Sequence, residues 1–107
     1  MVPKAIGFIR RDVSGSHQAW DETQIRSLAA RSGYNLCKVV AFGPATDSPI
    51  QRLRTAVLRT GAVAVFVPSL SHFGGDVVPI EIREVADVTA ADTEERSTRR
   101  RFGGNPR

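Results

Sequence analysis

Ala62-Val63-Ala64-Val65-Phe66-Val67 is an unbroken apolar run, bounded by Gly61 on one side and Pro68 on the other. A run of that length, apolar at every position, suits a strand buried on both faces, which is the habit of parallel sheets. A parallel strand reaches its neighbour only through a long crossover, usually a helix. Ala5-Ile6-Gly7-Phe8-Ile9 is a second such run, closed by Arg10. Between them, Tyr34–Phe42 carries Leu36, Val39, Val40 and Phe42 and reads as another strand.

The intervening segments have helical punctuation. Asp21 is placed to N-cap a first helix, with Gln24 completing a capping box and Trp20 and Ile25 forming a hydrophobic staple. Ile25, Leu28 and Ala29 recur at helical spacing, and Gly33 supplies the left-handed stop. A second helix has Ser48 as N-cap, Pro49 at the first position and Gln51 in a capping box. Ile50, Leu53, Val57 and Leu58 form its inner face, Arg52 and Arg59 fall outside it, and Gly61 ends it. Residues 76–86 fit either period: Val78, Ile80 and Ile82 alternate as a strand would, while Val78, Ile82 and Val85 share a helical face. The alternation of elements favours helix, then a short strand at Val88-Thr89-Ala90. The fold expected is α/β: an open, mostly parallel sheet of about four strands with helices on both faces.

A chain of 107 residues is one domain. Its net charge of +4 is uneven, because residues 1–93 carry ten Lys/Arg against nine Asp/Glu. The excess lies in a tail containing Arg96, Arg99, Arg100, Arg101 and Arg107. The expected division is therefore an α/β domain over 1–92 and a disordered basic tail over 93–107, with the tail arginines able to attract DNA phosphates. The bland reading of that tail is a solubilising chain end. Cys37 is the sole cysteine, which excludes an internal disulfide and a thiolate metal cluster. No apolar run approaches the roughly 20 residues of a membrane span, and no signal-peptide pattern opens the chain, so a cytoplasmic location without membrane attachment is expected.

In an open parallel sheet, ligands bind beyond the carboxyl ends of the strands. Three loops meet there: residues 10–18, 43–48 and 68–76. They bring Arg10, Arg11, Asp12, Ser14, Ser16, His17, Asp47, Ser48, Ser69, Ser71, His72 and Asp76 to one rim. The sequence holds neither a Gly-x-Gly-x-x-Gly nor a Gly-Lys-Ser/Thr, so no cofactor is expected. His17 and His72 lack ligand spacing, so no metal is expected and each reads as a loop residue. A hydrolytic arrangement of Ser14 or Ser16 with His17 or His72, oriented by Asp47 or Asp76, is the enzymatic alternative.

Taken in order, these segments resemble the catalytic domain of serine recombinases, the resolvase/invertase family, over roughly residues 4–90. Ala5–Arg10 resembles the family's first strand, residues 24–34 its first helix and following turn, and Ser48–Leu53 its second helix. Ala62–Gly75 resembles the third strand and the Leu-Asp-Arg-Leu-x-Arg motif. The resemblance implies a nucleophilic serine two residues beyond the strand-end Arg10, and that position holds Asp12. The family's strand-end tyrosine is Phe8, its motif arginines are His72 and Gly75, and its helix-start arginine is Ser48. Of that set only Arg10 remains.

A carboxylate at position 12 repels a phosphate and cannot form a phosphoserine link. Loss of even one preorganised transition-state donor costs on the order of 10²–10³ in rate. Ser14 is the substitute nucleophile if the loop shifts register by two residues. The family's long dimerisation helix has no counterpart in the tail, which lacks an apolar stripe. The expectation is a resolvase-like domain that has lost its nucleophile and arginines and serves as a non-catalytic binding or assembly module, through a protein partner or self-association. The alternatives are an active recombinase with relocated residues, drawing on Arg10 and Ser14 with Arg11 and Arg52 as the nearby arginines, or electrostatic nucleic-acid binding through Arg99, Arg100 and Arg101.

Overall fold

The first strand, β1 (Lys4–Arg10), runs through the middle of the molecule with Ala5, Ile6, Phe8 and Ile9 wholly buried. The structure, a computed structural model, describes residues 2–92. The basic tail with Arg99, Arg100 and Arg101 lies outside them. After β1 come α1 (Arg11–Ser14), a 3-10 turn at Gly15–His17, α2 (Gln18–Arg31), β2 (Asn35–Phe42) and α3 (Pro49–Thr60). β3 (Ala64–Val67), a 3-10 turn at Leu70–Phe73, α4 (Ile80–Arg83) and β4 (Asp87–Ala90) complete the chain. The four strands form one sheet in the order β2-β1-β3-β4, and every pairing is parallel. The expected α/β architecture is thus the one observed.

Alternation along β1 divides the core into two layers. Ile6 and Phe8 face α3 and α4, where they pack with Leu53, Val57, Val65, Val67 and Ile82. Ala5 and Ile9 face α2, with Ile25, Leu28, Ala29, Ala64 and Phe66. Both layers are closed because the strand is apolar at both parities. Gly7 lies on the α2 side, and a Cβ there would stand 2.7 Å from Ile25 Cδ1 and 3.0 Å from Val39 Cγ2. The glycine lets the helix and the neighbouring strand approach to contact distance.

β2 pairs with β1 with one irregularity. Ala5 is opposite Leu36 but Ile6 is opposite Lys38, so Cys37 is an extra residue on the β2 side. This bulge reverses the side-chain parity. Leu36 and Val39, three residues apart, both pack in the α2 layer, while Val40 and Phe42 pack in the α3 layer.

The helix termini correct several expectations. Residues 11–18, read as a polar loop, form α1, the 3-10 turn and the start of α2. Asp21 therefore falls inside the first turn of α2, where it suits the helix dipole, rather than at the N-cap. His17 precedes the helix with no side-chain cap bond, and Trp20 is 60% exposed, so the proposed capping box and staple do not form. Gly33 does end α2: its N–H bonds Ala30 O and that of Tyr34 bonds Ala29 O, the paired bonds of a left-handed helix stop.

At α3, Pro49 occupies the first turn as expected, but Ser48 is itself left-handed at φ 51° and makes no capping bond. Leu53 and Val57 are buried, whereas Leu58 is exposed, since it lies a further 100° round the helix. Residues 76–86 do contain a helix, limited to Ile80–Arg83, and β4 follows where a short strand was expected.

Two stability outcomes follow. Gly7→Ala should lower the stability read from denaturant unfolding by about 1–3 kcal/mol, and adding Ile25→Val, which removes the clashing Cδ1, should recover part of it. Ser48→Gly should raise stability by up to about 1 kcal/mol by relieving a left-handed conformation that costs a side chain roughly that much.

Candidate functional site

The sheet order places the site. From β1 the chain crosses towards β2, while from β3 it crosses towards β4, so the connections part at the carboxyl ends of β1 and β3. Such a divergence leaves a crevice where doubly wound sheets bind ligands. Arg10 ends β1 at this point, and the Leu70–Phe73 turn folds over it from β3.

His72 is the centre of the arrangement. Its ring is 2% exposed, and its Nδ1 accepts the backbone N–H of Arg10 at 2.9 Å. An accepting Nδ1 fixes the neutral tautomer with the proton on Nε2. Burial, the largest influence, lowers the His72 pKa from its ordinary value. Asp21 opposes that shift, Arg10 adds to it, and Asp12 and Asp92 oppose it. Desolvation wins because an imidazolium here has lost its water, and the nearby carboxylates offset that loss only in part. The next residue, Phe73, stacks on Phe8 at 5.2 Å and holds the turn against the sheet. His72 is therefore a buried structural acceptor rather than a plain loop residue.

The two catalytic candidates are both engaged. Arg10 donates from Nε to Asp12 Oδ1 and from Nη2 to Asp12 Oδ2, each at 3.1 Å, a bidentate pair. The pairing uses the fork edge with which arginine grips a phosphate, and the carboxylate cancels its charge. Ser14, buried in α1, donates its hydroxyl to Asp21 Oδ2 at 2.6 Å. Among the described residues no hydrogen bond joins Ser14 to His72, so the Ser–His pair considered from the sequence does not form.

The other rim residues disperse. Ser16 and His17 are exposed in the 3-10 turn. Ser69 and Ser71 bond each other at 2.6 Å. Asp47 is exposed, and its carbonyl accepts Arg52 Nε at 2.7 Å. Arg11 lies against Gly43, within 3.5 Å of where a Cβ would stand, and Asp76 is exposed.

Beside Ser14 and Asp21 is a hollow of about 210 Å³, lined by Trp20, Asp21, Gln24, Pro68, Ala91 and Asp92. Among the described residues, its charged lining groups are the carboxylates of Asp21 and Asp92. Among the described residues no group of three His, Cys, Asp or Glu could hold a metal ion. None of the described helices is long and apolar enough to cross a membrane.

Asp21 is the site residue whose role the sequence reading missed. It stands seven residues after Ser14, two helical turns, a spacing that carries meaning only once residues 11–18 are helical. Comparison with family models, curated proteins and solved structures finds no significant match.

The folded His72 pKa lies below 6.5, so the folded chain binds fewer protons than the unfolded one in mild acid. Stability from this group is full above the unfolded value and is lost as the pH falls through the lower folded value. His72→Asn, whose amide oxygen can replace Nδ1 as acceptor, should flatten that part of the profile. Chemical denaturation of both proteins across mild acid measures the difference.

Proposed function

We propose that this chain is a non-catalytic, resolvase-like α/β domain that works as a binding or assembly module. The observation that carries the reading is the Arg10–Asp12 pair. The one retained cationic position is neutralised by the carboxylate that stands where the family's nucleophile would be. A phosphodiester entering the crevice would meet a compensated arginine, a buried neutral histidine and the Asp21 carboxylate. Neither a nucleophile nor a stabilising cation is offered to it.

An active recombinase with relocated residues would need Ser14 freed from Asp21 and arginines drawn into the crevice. Arg11 and Arg52, the nearby candidates, are placed over Gly43 and at the Asp47 carbonyl. Binding through Arg99, Arg100 and Arg101 is a separate proposal that depends on residues outside those described.

The test is chemical. Incubation with supercoiled and linear duplex DNA, followed by denaturing electrophoresis, should yield neither nicks nor a covalent protein–DNA species. Ser14→Ala should leave that outcome unchanged while lowering stability by about 1 kcal/mol, the worth of one hydrogen bond. A DNA adduct that disappears in Ser14→Ala would overturn the proposal.

A further inference from the structure

The net charge of residues 2–92 hides a separation. Residues 23–75 contain six Lys/Arg and a single acidic residue, Asp47. Acidic side chains gather instead around α4 and β4, as Glu81 on α4, Glu84 just after it and Asp87 on β4, which is at the opposite edge of the sheet from β2. The cationic half thus includes β2 and α3, which pack side by side on one face.

Between those two elements runs an open groove of about 460 Å³, lined by Lys38, Phe42, Gln51, Arg52, Thr55, Ala56 and Arg59. Three of these are cations, and no carboxylate lines it. Arg52 and Arg59 are seven residues apart on α3, so they mark one helix face roughly 10 Å apart along the axis. Arg52 bonds the Asp47 carbonyl through Nε alone, and among the described residues no ion pair engages Lys38, Arg52 or Arg59.

Lys38 reaches this groove because of the bulge at Cys37. The bulge puts Lys38 on the same parity as Val40 and Phe42, which pack in the α3 layer. Phe42 has its ring edge-on to Phe8 at 6.0 Å and is half-buried, leaving part of it in the groove wall. A concave track of unpaired cations beside an aromatic ring is the combination that holds a single nucleic-acid strand, with cations on the phosphates and the ring against a base. Arginine forks suit phosphate geometry in particular.

We infer that the β2–α3 groove, through Lys38, Arg52, Arg59 and Phe42, binds the phosphodiester backbone of a single-stranded nucleic acid. This rests on the reading of the domain as a binding module and gives it a ligand class. The site lies between β2 and α3, reaching the strand position opposite Arg10 at Phe42, and it uses none of Asp12, Ser14 or His72.

Fluorescence anisotropy of a short labelled oligothymidylate tests it, using the full chain with Arg96, Arg99, Arg100 and Arg101 replaced by Ser to remove the tail's charge. Binding should weaken with salt with a log-log slope of about −2, for three phosphate contacts on a single strand. Arg52→Glu/Arg59→Glu should weaken binding by more than about tenfold. Lys38→Glu should weaken it as well, and the charge-matched pair Arg26→Glu/Arg31→Glu on α2 should weaken it far less. Lys38, Arg52, Arg59, Arg26 and Arg31 are exposed, and circular dichroism of each variant confirms folding.

Equal losses in the α3 and α2 pairs would overturn the groove. Tighter binding of a duplex of the same length, or displacement of the oligonucleotide by a lower concentration of polyglutamate, would overturn the ligand. Loss of a dimer in light scattering, with oligonucleotide binding unchanged, would reassign the groove to self-association. A covalent adduct in the cleavage assay would sink the non-catalytic reading without touching the groove result, so the two failures are distinguishable.

Discussion

The amide of Arg10 lies beyond the last residue pair between β1 and β3, Gly7 with Phe66, and needs an acceptor there. A buried N–H without one costs about 1–3 kcal/mol. The His72 imidazole meets that need, and much of the site follows from it. The ring must stay neutral to accept at Nδ1, so it is buried where charging is unfavourable. The Leu70–Phe73 turn must lie across the end of β1 to deliver it, which carries Phe73 onto Phe8. With the turn seated, His72 and Phe73 form one wall of the crevice that the sheet order opens.

A second consequence concerns charge. The fold separates a compensated centre from an uncompensated flank. At the crevice Arg10 faces Asp12, and Asp21 takes the Ser14 hydroxyl. Along β2 and α3 the cations stand without carboxylates. The same net charge spread evenly would give neither a quiet centre nor a basic groove, so position rather than total charge distinguishes the two surfaces.

Much of the architecture was legible in the sequence, because it rests on parity and punctuation. Strands apolar at both parities, such as Ala5–Ile9, must be covered twice, and Gly33 and Gly61 stop helices where the chain needs a left-handed residue. The local starts were less legible. Arg11–Gln18 is rich in Ser and Gly, which signals a loop, yet Ser14 is bonded by Asp21 from a helix whose start lies four residues earlier than its capping pattern indicated. Ser48 has the composition of a cap but a left-handed backbone. The acceptor role of His72 was hidden because its partner is a backbone N–H 62 residues away, and a main-chain donor leaves no mark in a sequence.

The irregularity at Cys37 also bears on what the edge of the sheet offers to another chain. β2 is an edge strand, and an even edge is a template on which another chain can add hydrogen bonds. An extra residue interrupts the regular spacing of donors and acceptors, and the charged Lys38 follows it directly. An incoming strand would find its register broken near the middle and a hydrated ammonium beside the break. A single inserted residue thus discourages fibril-like growth of the sheet.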